Sequence, residues 1–338
     1  GNVATSMDQD GNSLNEGVLI NQAKTGTLTV TKTVNGLEGG DTLPANFKIE
    51  VKNSDTVVKT LTTSNADSVT TYTWTVNDLA PGTYTVTEVV EDRYEPQTAK
   101  TVTVVSGQTA TVLFKNTLKR GDLTVTKTAE DGLTEGIKLR LTGTSDSGVK
   151  IDVTATVDSS GKAYFKDILI GSGYLLEEVD TALKYIVPDS QDVEIEWDKV
   201  ATAEVYNELK RGDLKVIKTS EDSLVEGMKF HLYGTSLSGE KVDEYAYTDK
   251  NGVALFKDIL IGENYTVEEV NTAIRYVIPE SQGAVIEWNK VTEVKFHNVL
   301  KKWRADVFKI DADLAGFDDD DSGLVPVELM PMAFSLDS

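Results

Sequence analysis

Apolar and polar residues alternate along short segments of this chain, in the pattern of strands that bury one face. In the segment LTVTKT, Leu123, Val125 and Lys127 share one side, and threonines occupy the other. Successive side chains of a strand point to opposite faces, so the side with Leu and Val is predicted to be buried. Similar segments recur along the chain, broken by Gly, Asn, Asp and Pro, and none has a helical period. The pattern predicts an all-β protein.

The sequence also repeats itself. RGDLTVTKT begins at Arg120, RGDLKVIKT begins at Arg211, 91 residues later, and a more distant copy, GTLTVTKT, begins at Gly26. Each copy has about 90 residues and about seven predicted strands, which is typical of an immunoglobulin-like β-sandwich. We therefore expect tandem β-sandwich domains in a line. Their predicted bounds are 26–119, 120–210 and 211–301.

The two end segments look like pieces of further repeats. VLINQAKTGTLTV, near the start, resembles VLFKNTLKRGDLTV between the first two repeats. Residues 1–25 are therefore predicted to be an N-terminal extension or the last strand of a preceding unit. WRADVFKID, which begins at Trp303, looks like another opening strand. We expect residues 302–338 to be the start of a fourth unit or a tail.

Three predicted strands of each repeat carry a polar residue on the side that should be buried. The first strand carries a lysine, the tyrosine-rich strand a glutamate and the last strand an asparagine. A shift of one residue would turn Glu177 and Glu268 inward instead of their neighbours. The predicted inward residues are Lys32, Glu88 and Asn116 in the first repeat, Lys127, Glu178 and Asn207 in the second, and Lys218, Glu269 and Asn298 in the third.

A lysine in an apolar core is costly unless its charge is neutralised or paired. For one repeat, a solvated lysine at a sheet edge is the ordinary interpretation. Recurrence in the same register in three repeats favours burial instead. Two arrangements are then possible: a Lys–Glu ion pair with the Asn hydrogen-bonded beside it, or a covalent bond between Lys and Asn.

The repeats resemble the Cna B-type domains of Gram-positive surface adhesins and pilins, which have a prealbumin-like β-sandwich fold. The resemblance covers residues 26–300. It rests on TVTKT and TVIKT in first strands, LFKNT, VYNEL and KFHNV in last strands, and YTVTE, YLLEE and YTVEE in tyrosine-rich strands. It implies a spontaneous isopeptide bond in each unit, assisted by a core glutamate. The implied bonds are Lys32–Asn116 with Glu88, Lys127–Asn207 with Glu178, and Lys218–Asn298 with Glu269.

The residue types fit this chemistry. Burial lowers the pKa of a lysine and raises that of a glutamate, so the lysine can attack as a neutral amine. The protonated glutamate can donate a hydrogen bond to the amide oxygen and pass a proton to the leaving ammonia. The step happens once per molecule, so we expect maturation rather than enzyme turnover.

The resemblance implies a structural stalk at the cell surface, associated with the cell wall. The implied partners are host extracellular matrix or neighbouring pilin or adhesin subunits. An alternative is an adhesin whose repeats bind host matrix protein or integrin directly, and a surface-anchored enzyme is a third interpretation. Arg-Gly-Asp occurs at 120–122 and 211–213, but each copy sits in a tight joint before a predicted strand, where a turn glycine is the ordinary explanation.

Composition narrows the possible functions further. The formal net charge of −22 argues against nucleic acid or an anionic membrane as a partner. No apolar run is long enough to predict membrane insertion. The chain has no cysteine and only two histidines, His231 and His297, and it has no phosphate-binding loop. We expect neither a metal nor a cofactor.

Overall fold

The structure is a computed structural model that describes residues 24–35, 48–62, 71–305, 308–309 and 325–326. All elements in these residues are β-strands. The first repeat contains β1 Gly26–Asn35, β2 Lys48–Asn53, β3 Thr56–Thr62, β4 Thr71–Leu79, β5 Gly82–Val89, β6 Lys100–Val104 and β7 Thr109–Thr117. The second contains β8 Arg120–Ala129, β9 Lys138–Thr144, β10 Lys150–Thr156, β11 Lys162–Leu169, β12 Gly171–Val179, β13 Gln191–Ile195 and β14 Val200–Asn207.

The third repeat has the same seven strands, and two short strands follow it. They are β15 Arg211–Ser220, β16 Lys229–Thr235, β17 Lys241–Tyr247, β18 Val253–Leu260, β19 Gly262–Val270, β20 Gln282–Ile286, β21 Val291–Asn298, β22 Phe308–Lys309 and β23 Val325–Pro326.

Each repeat folds into one three-stranded and one four-stranded sheet. The three-stranded sheets have the orders β4-β1-β7, β11-β8-β14 and β18-β15-β21. The four-stranded sheets have the orders β3-β2-β5-β6, β10-β9-β12-β13 and β17-β16-β19-β20. The prediction of an all-β chain of tandem β-sandwiches is therefore confirmed.

The buried faces are those that the alternation predicts. β8 and β15 have the same pattern, in which every second residue from the glycine to the lysine is buried. The first and third sandwiches each have an apolar cluster of their own, with residues such as Val30 and Phe114 in one and Val216 and Phe296 in the other. Burial of these side chains, at about 25 cal/mol per Å² of apolar surface, is the main force that joins the two sheets of a sandwich.

The first and last strands of a sandwich are parallel neighbours. β1 pairs with β7 in parallel, with Lys32 opposite Phe114 and Val34 opposite Asn116. β15 pairs with β21 in the same way, with Lys218 opposite Phe296. The lysine and asparagine therefore lie two positions apart along a parallel strand pair. In the second sandwich, β14 is likewise the neighbour of β8.

A tyrosine fixes one end of the four-stranded sheet in each sandwich. Tyr84, Tyr174 and Tyr265 are buried, and their hydroxyl groups donate hydrogen bonds to the backbone oxygens of Ala80, Leu169 and Leu260 at 2.8, 2.7 and 2.7 Å. The hydrogen bond satisfies the polar end of a ring whose body packs in the core.

The chain divides into two compact units. One holds the first sandwich and most of the second, through Tyr206, and the other holds the third sandwich together with Ala182–Ile186 and Asn207. The domain bounds stated above therefore stay predictions. Nearly all of residues 1–25 lie outside the described part of the chain. Within residues 302–338, the described strands β22 and β23 pair Phe308 with Pro326, and the start of a fourth unit remains a prediction.

Candidate functional site

Three strands direct a lysine, a glutamate and an asparagine into each core. The lysine lies on β1, β8 or β15 after two buried apolar residues, and its stem packs among them. The glutamate lies near the end of β5, β12 or β19, and the asparagine near or at the end of β7, β14 or β21. All nine residues are buried, the asparagines completely: Lys32, Glu88, Asn116, Lys127, Glu178, Asn207, Lys218, Glu269 and Asn298.

In the first sandwich, the three side chains meet at one carboxylate oxygen. Lys32 Nζ lies 2.7 Å from Glu88 Oε1, and both side chains are fully buried. Asn116 Nδ2 donates a hydrogen bond to the same oxygen. The ring of Tyr94 closes this group, with Lys32 Nζ 6.0 Å from its centroid. The amine, the carboxyl group and the amide are thus held together away from water.

In the third sandwich, the glutamate holds its two neighbours on different oxygens. Lys218 Nζ lies 3.4 Å from Glu269 Oε2, and Asn298 Nδ2 donates to Glu269 Oε1 at 2.9 Å. Lys218 Nζ also donates to the backbone oxygen of Thr219 at 2.9 Å. The carboxyl group therefore bridges the amine and the amide.

In the second sandwich, the lysine and glutamate are in contact. Lys127 Nζ lies 3.3 Å from Glu178 Oε2. It also donates to the backbone oxygens of Thr128 and Val205 at 3.0 and 3.3 Å. β14 ends two residues later at Asn207, whose side chain is fully buried.

Burial is the main cause of the pKa shifts at these sites. It lowers the pKa of Lys32 to about 8, although the hydrogen bond that Lys32 donates to Glu88 acts in the opposite direction. It also lowers the pKa of Lys127 and of Lys218. In the first sandwich, burial raises the pKa of Glu88. Both shifts there favour transfer of a proton from the amine to the carboxylate.

The side-chain amide oxygens of two asparagines are unsatisfied hydrogen-bond acceptors. Within the described residues, neither Asn116 Oδ1 nor Asn298 Oδ1 has a hydrogen-bond partner, although both are buried. A buried acceptor without a donor costs about 1–3 kcal/mol. A neutral glutamic acid has a hydroxyl group to donate, whereas a carboxylate has none. The unsatisfied oxygen of Asn116 thus fits a site in which Glu88, whose pKa is raised by burial, is protonated.

The neighbouring acids face outward. Glu177 lies 3.4 Å from the guanidinium group of Arg140 on the outer face of the sheet. Glu268 lies 3.2 Å from His231 Nδ1, and His231 Nε2 lies 2.9 Å from Asp243. The register of β12 and β19 thus directs Glu178 and Glu269 into the core.

Each Arg-Gly-Asp motif forms the beginning of a strand. Arg120 donates to the backbone oxygen of Asp167 at 2.6 Å, and Asp122 accepts hydrogen bonds from Lys166 Nζ and the Asp167 amide at 2.8 and 2.9 Å. A Cβ on Gly121 would lie 2.2 Å from the backbone oxygen of Glu196. The glycine is therefore required by close packing of the backbone, and the aspartate is engaged within the sandwich.

Sequence reasoning missed a tyrosine and, beyond the last strand of each repeat, the leucine with which it pairs. Three isolated bridges pair Tyr94 with Leu118, Tyr185 with Leu209 and Tyr276 with Leu300. Each leucine follows the asparagine by two residues, and the three tyrosines are buried. The sequence pattern that could have identified these tyrosines is the repeated segment RYEP, KYIVP or RYVIP. They lie outside the strands and have no alternating pattern.

The described residues contain no group of three or more side chains that could hold a metal ion. None of their elements is a helix of the length and apolarity needed to cross a membrane.

Comparison with models of protein families identifies the family of this chain. The model of the SpaA family, described as a prealbumin-like fold domain, matches residues 121–209 and 212–299, which make up just over half of the chain. The chain belongs to the SpaA prealbumin-like fold domain family. The two matches coincide with the second and third sandwiches, and the family resemblance inferred from the sequence is confirmed. The first SpaA-like sandwich has the same sheet orders but lies outside the matched residues.

The chain also has similarity to solved structures. The chain is similar to the Bacillus anthracis TIE protein, with 22% identity and a TM-score of 0.57 over 81% of this chain and 51% of that one. It therefore spans about half the length of that protein. It is also similar to BcpA, the major pilin subunit of Bacillus cereus, with 14% identity and a TM-score of 0.45 over 82% of this chain and 100% of that one. No curated protein matches the sequence.

Proposed function

We propose that this SpaA-family chain is a structural stalk of a Gram-positive cell-surface adhesin or pilin-related protein, in which each sandwich is stabilised by a self-formed Lys–Asn isopeptide bond. The observation that carries the proposal is the buried group of lysine, glutamate and asparagine. In the first and third sandwiches, one glutamate touches both the amine and the amide. Membership of the SpaA prealbumin-like fold domain family supports the proposal, because the repeats resemble domains of Gram-positive surface proteins.

The proposed mechanism needs only these three side chains. Lys32 transfers a proton to Glu88, and its neutral amine attacks the Asn116 amide carbon. Glu88 donates a hydrogen bond to the amide oxygen while charge develops there. It then passes this proton to the departing nitrogen, which leaves as ammonia, and as a carboxylate it accepts the surplus proton of the new amide nitrogen. Because the reactants are already held together, the step is effectively unimolecular.

The proposed bonds connect the strands on which tension acts. The chain enters a sandwich through its first strand and leaves through its last, and these strands are parallel neighbours in the first and third sandwiches. A bond between them carries the load past the rest of the sandwich. The proposal therefore assigns the protein a mechanical function rather than a catalytic one.

Intact mass spectrometry of the denatured chain tests this proposal. Three bonds, Lys32–Asn116, Lys127–Asn207 and Lys218–Asn298, lower the mass by three ammonia molecules. Tandem spectra of digests should then contain branched peptides that join each pair. An unshifted mass would show that the groups are ion pairs with a hydrogen-bonded amide, and it would end the covalent proposal.

The runner-up function, direct binding of host matrix or integrin by the repeats, depends on the Arg-Gly-Asp motifs. Asp122 is engaged by Lys166 and by the Asp167 amide. Asp213 accepts a hydrogen bond from the Asp258 amide at 2.9 Å. These contacts favour a structural role for the motif, so we propose the stalk function.

A further inference from the structure

The third sandwich contains a cavity beside its lysine, glutamate and asparagine. The cavity has a volume of about 360 Å³ and is open to solvent. Polar side chains line it, among them Glu226, Arg275 and Tyr276. Glu269 and Met228 also line it. The cavity thus reaches from the surface to the proposed reaction site.

Met228 contacts the atom that the proposed reaction releases. Asn298 Nδ2 donates to Glu269 Oε1 at 2.9 Å and lies 3.8 Å from Met228 Sδ. Asn298 is fully buried, whereas Met228 is only partly buried. Met228 therefore lies between the amide nitrogen in the core and the open cavity.

We propose that Met228 is the gate through which ammonia leaves the third sandwich when its cross-link forms. This inference rests on the proposed function. In the step, the bond between Lys218 Nζ and the Asn298 Cγ forms and the bond between Cγ and Nδ2 breaks. One proton of the lysine amine passes through Glu269 to Nδ2. The departing molecule is neutral ammonia, so atoms and charge balance.

The properties of methionine suit such a gate. Its side chain is unbranched and flexible, so it can move aside without disturbing the packed sheets. Ammonia that passes it enters a cavity with hydrogen-bonding groups, including the side chains of Glu226 and Arg275. Removal of ammonia from the core prevents the reverse attack on the new amide. The matching position of the second sandwich holds the branched Ile137.

Refolding of the full chain can test the gate. Chain recovered unfolded from inclusion bodies, with no mass deficit at the start, is diluted into buffer, quenched at intervals and digested. The rate at which the Lys218–Asn298 bond forms is divided by the rate at which the Lys127–Asn207 bond forms, which serves as an internal reference in the same molecule.

Met228→Trp should slow formation of the Lys218–Asn298 bond about tenfold, equivalent to about 1.4 kcal/mol on the barrier. Met228→Leu, of similar volume, should keep the wild-type ratio.

Met228→Ala separates a gate from a simple packing residue. It should lower the melting temperature of the third sandwich, because it removes buried side-chain atoms, yet leave the bond as fast as in the wild type. If Met228→Ala slows the bond as much as Met228→Trp, or if Met228→Trp leaves the ratio unchanged, the gate is excluded. Met228→Phe replaces the Trp variant should that variant fail to fold. Absence of the bond from the wild type contradicts the proposed function instead, so the two failures are distinct.

Discussion

At the scale of single residues, the decisive feature is a glutamate that contacts both the amine of a lysine and the side-chain amide of an asparagine. Glu88 Oε1 accepts hydrogen bonds from both Lys32 and Asn116. An amine, an acid and an amide in an apolar core form an unstable set of charges, because neither ion is hydrated. Transfer of a proton from the lysine to the glutamate relieves this instability, and in the proposed reaction it also produces the nucleophile.

Replacement of Glu269 by alanine should leave Lys218 and Asn298 unlinked, because no other acid in contact with both groups is present in the described core. The denatured mass should then show a deficit of two ammonia molecules rather than three. The matched control is Glu268→Ala, which removes the outward-facing neighbour beside His231 and should retain all three bonds. A three-ammonia deficit in the Glu269→Ala chain would disprove the role of Glu269.

The rate at which the Lys32–Asn116 bond forms should be constant near neutral pH and should fall above about pH 8. The reactive form, a neutral amine with a protonated acid, carries one shared proton, as does the ion pair from which it arises. Its population is therefore independent of pH between the two pKa values. Above the Lys32 pKa of about 8, the pair loses this proton and Glu88 can no longer act as an acid.

Quenched refolding from pH 6 to pH 10, followed by mass analysis of the first sandwich, measures this profile. A rate that keeps rising toward pH 10 would mean that the free amine alone limits the reaction. Glu88 would then have no role as an acid.

At the scale of elements, the sequence predicted which face of each strand is buried but not which strands are neighbours. The alternation along β8 and β15 assigned Lys127 and Lys218 to the core, because the period of a strand admits only two faces. Pairing depends on contacts between residues about 80 positions apart, which no local pattern contains. Tyr276 and Met228 were missed for a related reason, since the tyrosine lies outside the strands and a methionine occupies that position only in the third repeat.

The glycine of the Arg-Gly-Asp motif provides a test at this scale. Gly121→Ala should destabilise the second sandwich by about 1–3 kcal/mol, because overpacking at a rigid backbone contact forces the strands apart. Thermal or denaturant unfolding measures the change. Gly173→Ala is the matched control, since a Cβ there meets no atom within 4 Å. If Gly121→Ala abolished binding to host cells without lowering stability, the motif would be an adhesion site after all.

At the scale of the whole molecule, the same cross-link chemistry is proposed for each sandwich. Each bond closes a loop of about 80 residues, which a chain-entropy model of cross-links values at about 4–5 kcal/mol. This is a large fraction of the stability of an ordinary domain. The proposed bonds would therefore determine how much heat or force each sandwich withstands.

A chain that carries Asn116→Ala, Asn207→Ala and Asn298→Ala should have no mass deficit and should melt at a lower temperature in all three sandwiches. Calorimetry resolves the transitions, and the exposed Asn264→Ala serves as the control. If the triple variant has the same melting temperatures as the wild type, the bonds contribute nothing to stability.

The parallel pairing of first and last strands also changes what a protease can do. If Lys32 is joined to Asn116 as proposed, every peptide bond between them lies within a closed covalent ring. A cut in any loop of the sandwich opens that ring but releases no fragment. A single cut severs the chain only outside these rings, for example in the stretch from Asn116 to Lys127. Most of that stretch is strand β8, held between β11 and β14.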